Sequence, residues 1–276
     1  MNRTVAIVES QRWTQSANAW DHWADGMANP ADRINQPLLD LAGAPAGSRV
    51  LDIAAGVGEP SLTQAHRIGA DGLVVACDLV PAMLSGLGRR ARGHPHPPHP
   101  VAADMTILPF ADAGFDRVLC RFGLMFVPEY ELALAEMRRV LRSNGVAVLA
   151  VWGPRAGNSL FDRLGRLLSR EYGDRVDALL SPLFRFADPG NLLRQAENAG
   201  FRHVRAETLI LNNPAKADHP FWLPTLEMAF SPLVAPTPPD QRAALYAHIA
   251  ADFATATDEQ GRFHVHMAVN LIRLQT

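Results

Sequence analysis

Arg49-Val50-Leu51-Asp52-Ile53-Ala54-Ala55-Gly56-Val57-Gly58-Glu59-Pro60-Ser61 is the stretch that decides the fold. Its first five residues are a short apolar run leading into glycines, the mark of a buried strand. Glycine is needed where the backbone turns tightly and where a ligand approaches without a Cβ in the way. Glu59 to Ile68 then has helical spacing, with Pro60 near the first turn, where its missing N–H costs little. A strand, a glycine turn and a helix in this order open a βαβ unit.

The rhythm continues downstream. Gly72 to Cys77 is a second buried strand ending at Asp78, and Pro81 to Arg92 reads as a helix. Val101-Ala102-Ala103 ends in Asp104, and Phe115 to Cys120 is another strand. Tyr130 to Leu141 is a helix, because Leu132, Leu134, Met137 and Val140 fall near helical spacing. Asn144-Gly145 then turns the chain into Val146 to Trp152. Strands alternating with helices predict a mostly parallel sheet of the Rossmann-like α/β class, with helices on both faces. Asp188 to Gly200 adds a helix, and His203 to Leu211 and Phe263 to Leu274 add the last two of seven strands.

Three segments stand outside this core. Residues 1–47 read as helical, with a helix at Pro37 to Ala42 closed by Gly43. Residues 154–186 form a helical insertion. Residues 212–262 carry seven prolines, from Pro214 to Pro239, and a structureless segment of that length is improbable in a compact domain. They are expected to be a helical cap over the strand ends. The domain division is therefore 1–47, 48–153 and 154–276.

Composition sets the outer limits. The chain has 276 residues, 48% hydrophobic and 20% charged, with a formal net charge of −2. No global basic field attracts nucleic acid or an anionic membrane. Cys77 and Cys120, the two cysteines, lie inside apolar runs and fit a reducing compartment rather than a disulfide framework. The apolar stretch Val5 to Val8 is too short for a secretory core, and no run approaches the ~20 residues of a membrane helix. A cytoplasmic protein is expected, as monomer or homodimer.

Asp78 lies 20 residues beyond Gly58 and ends the second strand, where a carboxylate can accept both ribose hydroxyls of an adenosine-type cofactor. A dinucleotide fingerprint requires a third glycine, and Ser61 stands in its place. Glu59 puts a carboxylate where a pyrophosphate would need the helix N-terminus. No Gly-Lys-Ser/Thr follows, so the turn is not a P-loop. S-adenosylmethionine has no phosphate and carries a sulfonium and an ammonium, which suit an acidic turn. An NAD-dependent oxidoreductase is the competing reading that Glu59 and Ser61 oppose.

At this point the sequence resembles the class I S-adenosylmethionine-dependent methyltransferases, and within them the ubiquinone/menaquinone C-methyltransferase-like group. The resemblance runs from about Trp20 to Gly153. Val50 to Pro60 is similar to the family's first motif, with Ala54 where many members have glycine. Cys77-Asp78-Leu79-Val80-Pro81-Ala82-Met83-Leu84 is similar to the second. Ala103-Asp104-Met105 with Leu108-Pro109-Phe110 resembles the adenine-side motif. The most family-specific runs are Phe115 to Phe126 and Glu136 to Gly145.

The resemblance implies a cofactor set of Asp52, Ala54, Ala55, Gly56, Gly58, Asp78, Leu79, Met83, Asp104, Met105 and Arg121. Asp52 and Gly56 would face the methionine end, Asp78 the ribose, Leu79 the adenine ring, Asp104 the adenine amino group, and Arg121 the methionine moiety. The plainer alternatives are a helix cap for Asp78 and a turn residue for Asp104. Trp20, His22 and Trp23 lie on the segment that in this family often folds over the cofactor, with core packing as the alternative role.

Other chemistry is weaker. Gly93-His94-Pro95-His96-Pro97-Pro98-His99-Pro100 invites a metal, but its prolines favour an extended segment that splays the histidines apart. No metal is expected. Arsenic methylation needs several thiols, and metal-dependent transfer to catechols needs a carboxylate cluster. The Asn-Pro-Pro-Tyr type of motif of nucleic-acid methylation is absent.

The expected function is in-line methyl transfer from S-adenosylmethionine, giving S-adenosylhomocysteine, to a small molecule at carbon, oxygen or nitrogen. Alignment of nucleophile and methyl supplies roughly 7–11 kcal/mol of such catalysis, so the sequence demands no particular base. His22, His264 and His266 are the candidates. The walls of the acceptor pocket are expected from residues 1–25, 154–186 and 212–262. Trp152, Phe161, Phe184, Phe186, Phe221, Trp222 and Phe230 point to an apolar or aromatic acceptor. A methyltransferase fold that only binds the cofactor, or serves another reaction, is the alternative.

Overall fold

A computed structural model of the chain describes residues 3–276, with side chains from Glu9 onward. Met1 and Asn2, and the side chains of the apolar stretch Val5 to Val8, lie outside the described residues. Seven strands form one sheet: β1 Arg49–Ile53, β2 Leu73–Asp78, β3 His99–Ala102, β4 Phe115–Arg121, β5 Leu141–Trp152, β6 His203–Lys216 and β7 Arg262–Gln275. Their order is β3-β2-β1-β4-β5-β7-β6. The first five run parallel, and β7 is antiparallel to both neighbours. The Rossmann-like class is as the alternation predicted.

The central strands are apolar on both faces because both are covered. Leu51, Val118, Leu149 and Ile272 pack under α5 (Tyr130–Val140) and α8 (Gly190–Asn198), against Leu134, Met137 and Leu192. Val50, Val74, Val148 and Leu271 face the other side, against Ile34, Leu38 and Leu39 of α2 (Ala28–Ala42) and Ile68 of α3 (Ser61–Ile68). Helix α4 (Pro81–Arg90) follows β2.

Several element boundaries depart from the sequence reading; β5, for one, begins at Leu141 rather than Val146 and runs through Asn144-Gly145. Helix α2 starts nine residues before Pro37 and carries the proline in its interior. Its buried stripe Ala31, Ile34, Asn35, Leu38 and Ala42 docks on the sheet, and that packing overrides the local breaker. Gly43 closes it at φ 55°, as the sequence indicated. Pro60 sits before the first residue of α3 rather than inside it. Strand β6 runs on through Asn212, Asn213 and Pro214 to Lys216, which had been assigned to the cap. It is the edge of the sheet, where a residue without an N–H is tolerated.

The paired ends of β6 and β7 therefore project into the cap and become part of it. The cap is completed by α6 (Ser159–Tyr172), α7 (Arg175–Leu183), α9 (Leu223–Ala229), α10 (Ser231–Val234) and α11 (Pro239–Ala254). It has its own apolar core, in which Leu168, Trp222, Phe230, Ile249, Phe253, Phe263 and Val265 are buried. Helix α1 (Arg3–Trp23) straps core to cap. Asp21 takes the Arg89 guanidinium of α4, and Trp23 Nε1 donates to Glu227 Oε2 of α9 at 2.8 Å. Among the described residues no helix is long and apolar enough to cross a membrane.

Candidate functional site

The carboxyl ends of β1, β2, β3 and β4 open on one side of the sheet, where the strand order reverses between β1 and β4. The turn after β1 carries positive φ at Ala54 (58°), Gly56 (55°) and Gly58 (114°). A Cβ at Gly56 would meet no protein atom within 4 Å, so the backbone there is bare for a ligand. At Gly58 a Cβ would come 3.0 Å from Leu62 Cδ1. That glycine is a packing requirement inside the turn, and Gly58 does not line the cavity.

Asp78 holds this turn. Its Oδ2 accepts the Gly56 N–H at 2.8 Å and its Oδ1 the Val80 N–H at 2.9 Å. The Val80 bond closes a turn ahead of α4 and does not cap it, because the N-cap is Val80 itself and no side chain caps the helix, and Asp78 stands on the cavity wall. Burial raises its pKa, and the backbone donors hold it back. Asp104 Oδ1 accepts the Thr106 N–H and hydroxyl at 2.9 and 2.8 Å, and it too lines the cavity.

Asp52 lies beneath the turn and is fully buried. Ser61 Oγ donates to its Oδ2 at 2.5 Å, and its Oδ1 has no hydrogen-bond partner among the described residues. Burial pushes its pKa up to about 7, against the Ser61 hydrogen bond and the Arg121 charge. Arg121 ends β4 on the cavity wall with a buried Nε that also lacks a hydrogen-bond partner among the described residues. A buried cation and a buried anion with unsatisfied atoms are an incomplete polar network. Arg121 is on the cavity wall, where the carboxylate of an amino-acid moiety could meet it, whereas Asp52, expected to face that moiety, does not reach the cavity lining. Glu59 is clamped by Arg90 Nη2 and Asn35 Nδ2, both at 2.8 Å. Its charge is balanced from behind while it faces the cavity.

One cavity of about 520 Å³ joins this cradle to the cap. Ala54, Ala55, Gly56, Asp78, Leu79, Met83, Asp104, Met105 and Arg121 line one end. An aromatic floor leads to the other end. Arg121 lies over the Phe122 ring at 5.2 Å, Phe122 stacks on Trp152 at 4.2 Å and 11°, and Trp152 meets Phe161 edge-on at 5.1 Å. Phe122 is held at φ 59°, a strained value for a bulky residue, beside a glycine at 123.

Of the aromatics expected on the acceptor side, Trp152, Phe161 and Phe221 line the cavity. Phe186, Trp222 and Phe230 are core side chains instead, and Phe184 packs against the cap core. Cavity residues that the sequence reading did not single out for this wall are Glu9, Arg12, Trp13, Met27, Phe126, Thr225, Met228 and Met267. The helical spacing of Glu9, Trp13, Trp20 and Ala24 was the available signal.

The three histidine candidates are not brought together. His22 is exposed, sits edge-on to Trp23 at 4.7 Å, and does not line the cavity. His264 and His266 alternate with Phe263, Val265 and Met267, which face the cap core, so both rings lie on the opposite side of the strand. His264 pairs there with Asp258 at 3.0 Å and with Asn212, and His266 stacks on it at 6.2 Å. His266 is exposed and stands with Val265 and Met267 in the cavity lining, whereas His264, paired with Asp258, does not. Among the described residues no cluster of three or more His, Cys, Asp or Glu could hold a metal. Both cysteines are buried, and burial pushes each thiol up to about 12.

The family described as a methyltransferase domain matches residues 51–149. The ubiquinone/menaquinone biosynthesis C-methyltransferase of Teredinibacter turnerae is 32% identical over 205 residues, covering 68% of this chain and 81% of that protein. A demethylmenaquinone methyltransferase of Beutenbergia cavernae is 37% identical over 60% of this chain and 64% of its own. Among solved structures, YcgJ of Bacillus subtilis shares the fold with a TM-score of 0.57 at 19% identity, over 87% of this chain and 97% of that one. With the strand order and the motif residues at the strand ends, this similarity is decisive: the chain belongs to the class I S-adenosylmethionine-dependent methyltransferases, in the ubiquinone/menaquinone C-methyltransferase-like group.

Proposed function

We propose that this methyltransferase acts on a small, largely apolar aromatic molecule, held between α1, the aromatic floor and the cap. The observation that carries this is one continuous cavity, polar and backbone-lined at one end and aromatic at the other. The names of two relatives, a ubiquinone/menaquinone biosynthesis C-methyltransferase and a demethylmenaquinone methyltransferase, support an aromatic acceptor. When bound, S-adenosylmethionine supplies a methyl group on a good leaving group.

The protein's part is to bind, align and exclude water. Asp78 turns its remaining lone pairs to the ribose while keeping the glycine turn in shape. Asp104 and Met105 flank the adenine, and Leu79 and Met83 cover it. Arg121 takes the carboxylate of the methionine moiety. Asp52, screened from the cavity, supports the turn from beneath through its bond with Ser61. In this reading residues 1–47 roof the site, 48–153 bind the donor, and 154–276 hold the acceptor and complete the sheet.

The test is calorimetric titration with S-adenosylmethionine, S-adenosylhomocysteine and NAD, followed by a screen of quinols, phenols and amines with labelled donor. Binding of NAD without the sulfonium compound sinks the donor site. Donor binding with no transfer to any acceptor favours the recruited-fold alternative.

A further inference from the structure

Helix α1 presents one face to the cavity, and its lining residues Glu9, Arg12, Trp13 and Trp20 follow helical spacing, with Ala24 just past its end. Buried Ala17 belongs to the same face. A face of that kind is expected to be apolar along its whole length. At the acceptor end it carries two opposite charges instead, and residues that break a local rule in this way mark functional sites.

The pair is under-used as an ion pair. Arg12 Nη1 lies 3.8 Å from Glu9 Oε2, beyond hydrogen-bond distance, with both side chains about one-fifth exposed. The Arg12 guanidinium rests over Trp13 and Phe126, at 5.3 and 5.5 Å from the ring centroids. It makes no hydrogen bond among the described residues, although it carries five N–H donors. Glu9 Oε2 accepts Trp13 Nε1 at 3.2 Å, and Oε1 has no partner among the described residues. Trp13 meets Phe126 edge-on at 4.7 Å. An unsatisfied guanidinium and a free carboxylate oxygen therefore sit together against an aromatic wall.

Resting on the acceptor reading above, the geometry points to Glu9 and Arg12 as the proton acceptor and oxyanion holder for an aromatic acceptor bearing an ionisable hydroxyl. A phenol with a pKa of about 10 is a poor nucleophile until it loses its proton. The hydroxyl proton passes to Glu9 Oε1, and the oxygen keeps the electron pair, stabilised by the Arg12 guanidinium. That pair, or the ring carbon it activates, forms the bond to the methyl carbon. The carbon–sulfur pair leaves with sulfur, which becomes a neutral thioether. Methylation at oxygen leaves the ring intact; after methylation at carbon the ring C–H proton passes to solvent water and its electron pair returns to the ring, restoring the aromatic phenolate. The Trp13 indole holds Glu9 in place.

The test compares the wild type with Glu9→Gln and Arg12→Gln, each in complex with S-adenosylhomocysteine, titrated with a naphthol and with naphthalene. The wild type should bind the naphthol at least about tenfold tighter than the hydrocarbon, one hydrogen bond to a charged group. Arg12→Gln should erase that preference, and product affinity should stay within about twofold in both variants. In turnover, Glu9→Gln should lower kcat on the naphthol about 100-fold near neutral pH. The deficit should shrink as pH rises and the naphthol ionises by itself. Equal binding of naphthol and naphthalene by the wild type overturns the proposal. So does a wild type that binds the naphthol without methylating it, and so do unchanged kinetics in both variants. If the wild type fails to bind S-adenosylhomocysteine, the donor-site reading falls instead.

Discussion

A methyl group at Gly123 would lie 2.3 Å from the Ala54 Cβ and 3.2 Å from Cys120 Sγ. The end of β4 and the turn after β1 touch there, so Gly123→Ala must force the donor cradle apart. Overpacking of this kind costs about 1–3 kcal/mol, and both a lower melting temperature and a weaker calorimetric affinity for S-adenosylmethionine are expected. Asp78→Ala removes a charged acceptor from two backbone donors and, in our reading, from the ribose. Its donor affinity should fall by about 10- to 100-fold, the scale of a lost hydrogen bond to a charged group.

Asp52 gives a pH prediction with a definite sign. Its pKa is raised from 3.8 to about 7 in the fold, chiefly by burial. Below the lower value both folded and unfolded chains carry the proton, so the site imposes no penalty. Between the two values the unfolded chain loses the proton first, so stability falls as pH rises through the window up to about 7. Asp52→Asn should flatten this slope, and melting curves from pH 4 to pH 8 would show it. A slope identical to the wild type's would mean that Asp52 titrates normally.

Among elements, α1 links the two halves of the site through Asp21–Arg89 on one side and Trp23–Glu227 on the other. Glu227→Ala leaves the indole N–H unpaired and should loosen the strap. Faster hydrogen exchange across residues 9–24 and a higher KM for the acceptor are expected, with little change in donor affinity. The strands and helices of the donor half were legible because each has a buried face with a clear period. The end of β6 was not. Asn212-Asn213-Pro214 reads locally as a turn, and only its place at the sheet edge lets it continue as strand. The cap aromatics were misread for a related reason. Phe186, Trp222 and Phe230 fill cores whose partners are distant in sequence, and composition cannot separate a core ring from a cavity ring. Glu9 and Arg12 were missed because an ion pair on a helix ordinarily belongs to a solvated face.

For the molecule as a whole, the sheet order puts the donor cradle at the reversal between β1 and β4, and the antiparallel β7 with its partner β6 extends over it as cap. The donor and acceptor ends thus share one enclosure built from distant parts of the chain. A ligand that bridges those parts should stabilise all of them together. Saturation with S-adenosylhomocysteine at 100 times its Kd adds about 2.7 kcal/mol, which for a chain of this size raises the melting temperature by roughly 5–10 °C. Differential scanning fluorimetry measures this directly, and two separate transitions under saturating ligand would contradict the shared enclosure.

The contact between positions 54 and 123 also has a historical reading. Ala54 occupies a left-handed backbone position that glycine adopts without strain, and its methyl group is accommodated because nothing projects from residue 123. The two sites can exchange their methyl group only in one order. A lineage must first lose it at 54 before it can gain it at 123, because the reverse path passes through a clash. The Ala54→Gly, Gly123→Ala double variant should therefore retain far more activity than Gly123→Ala alone. The present pair is a one-way gate on the paths by which this turn can diverge.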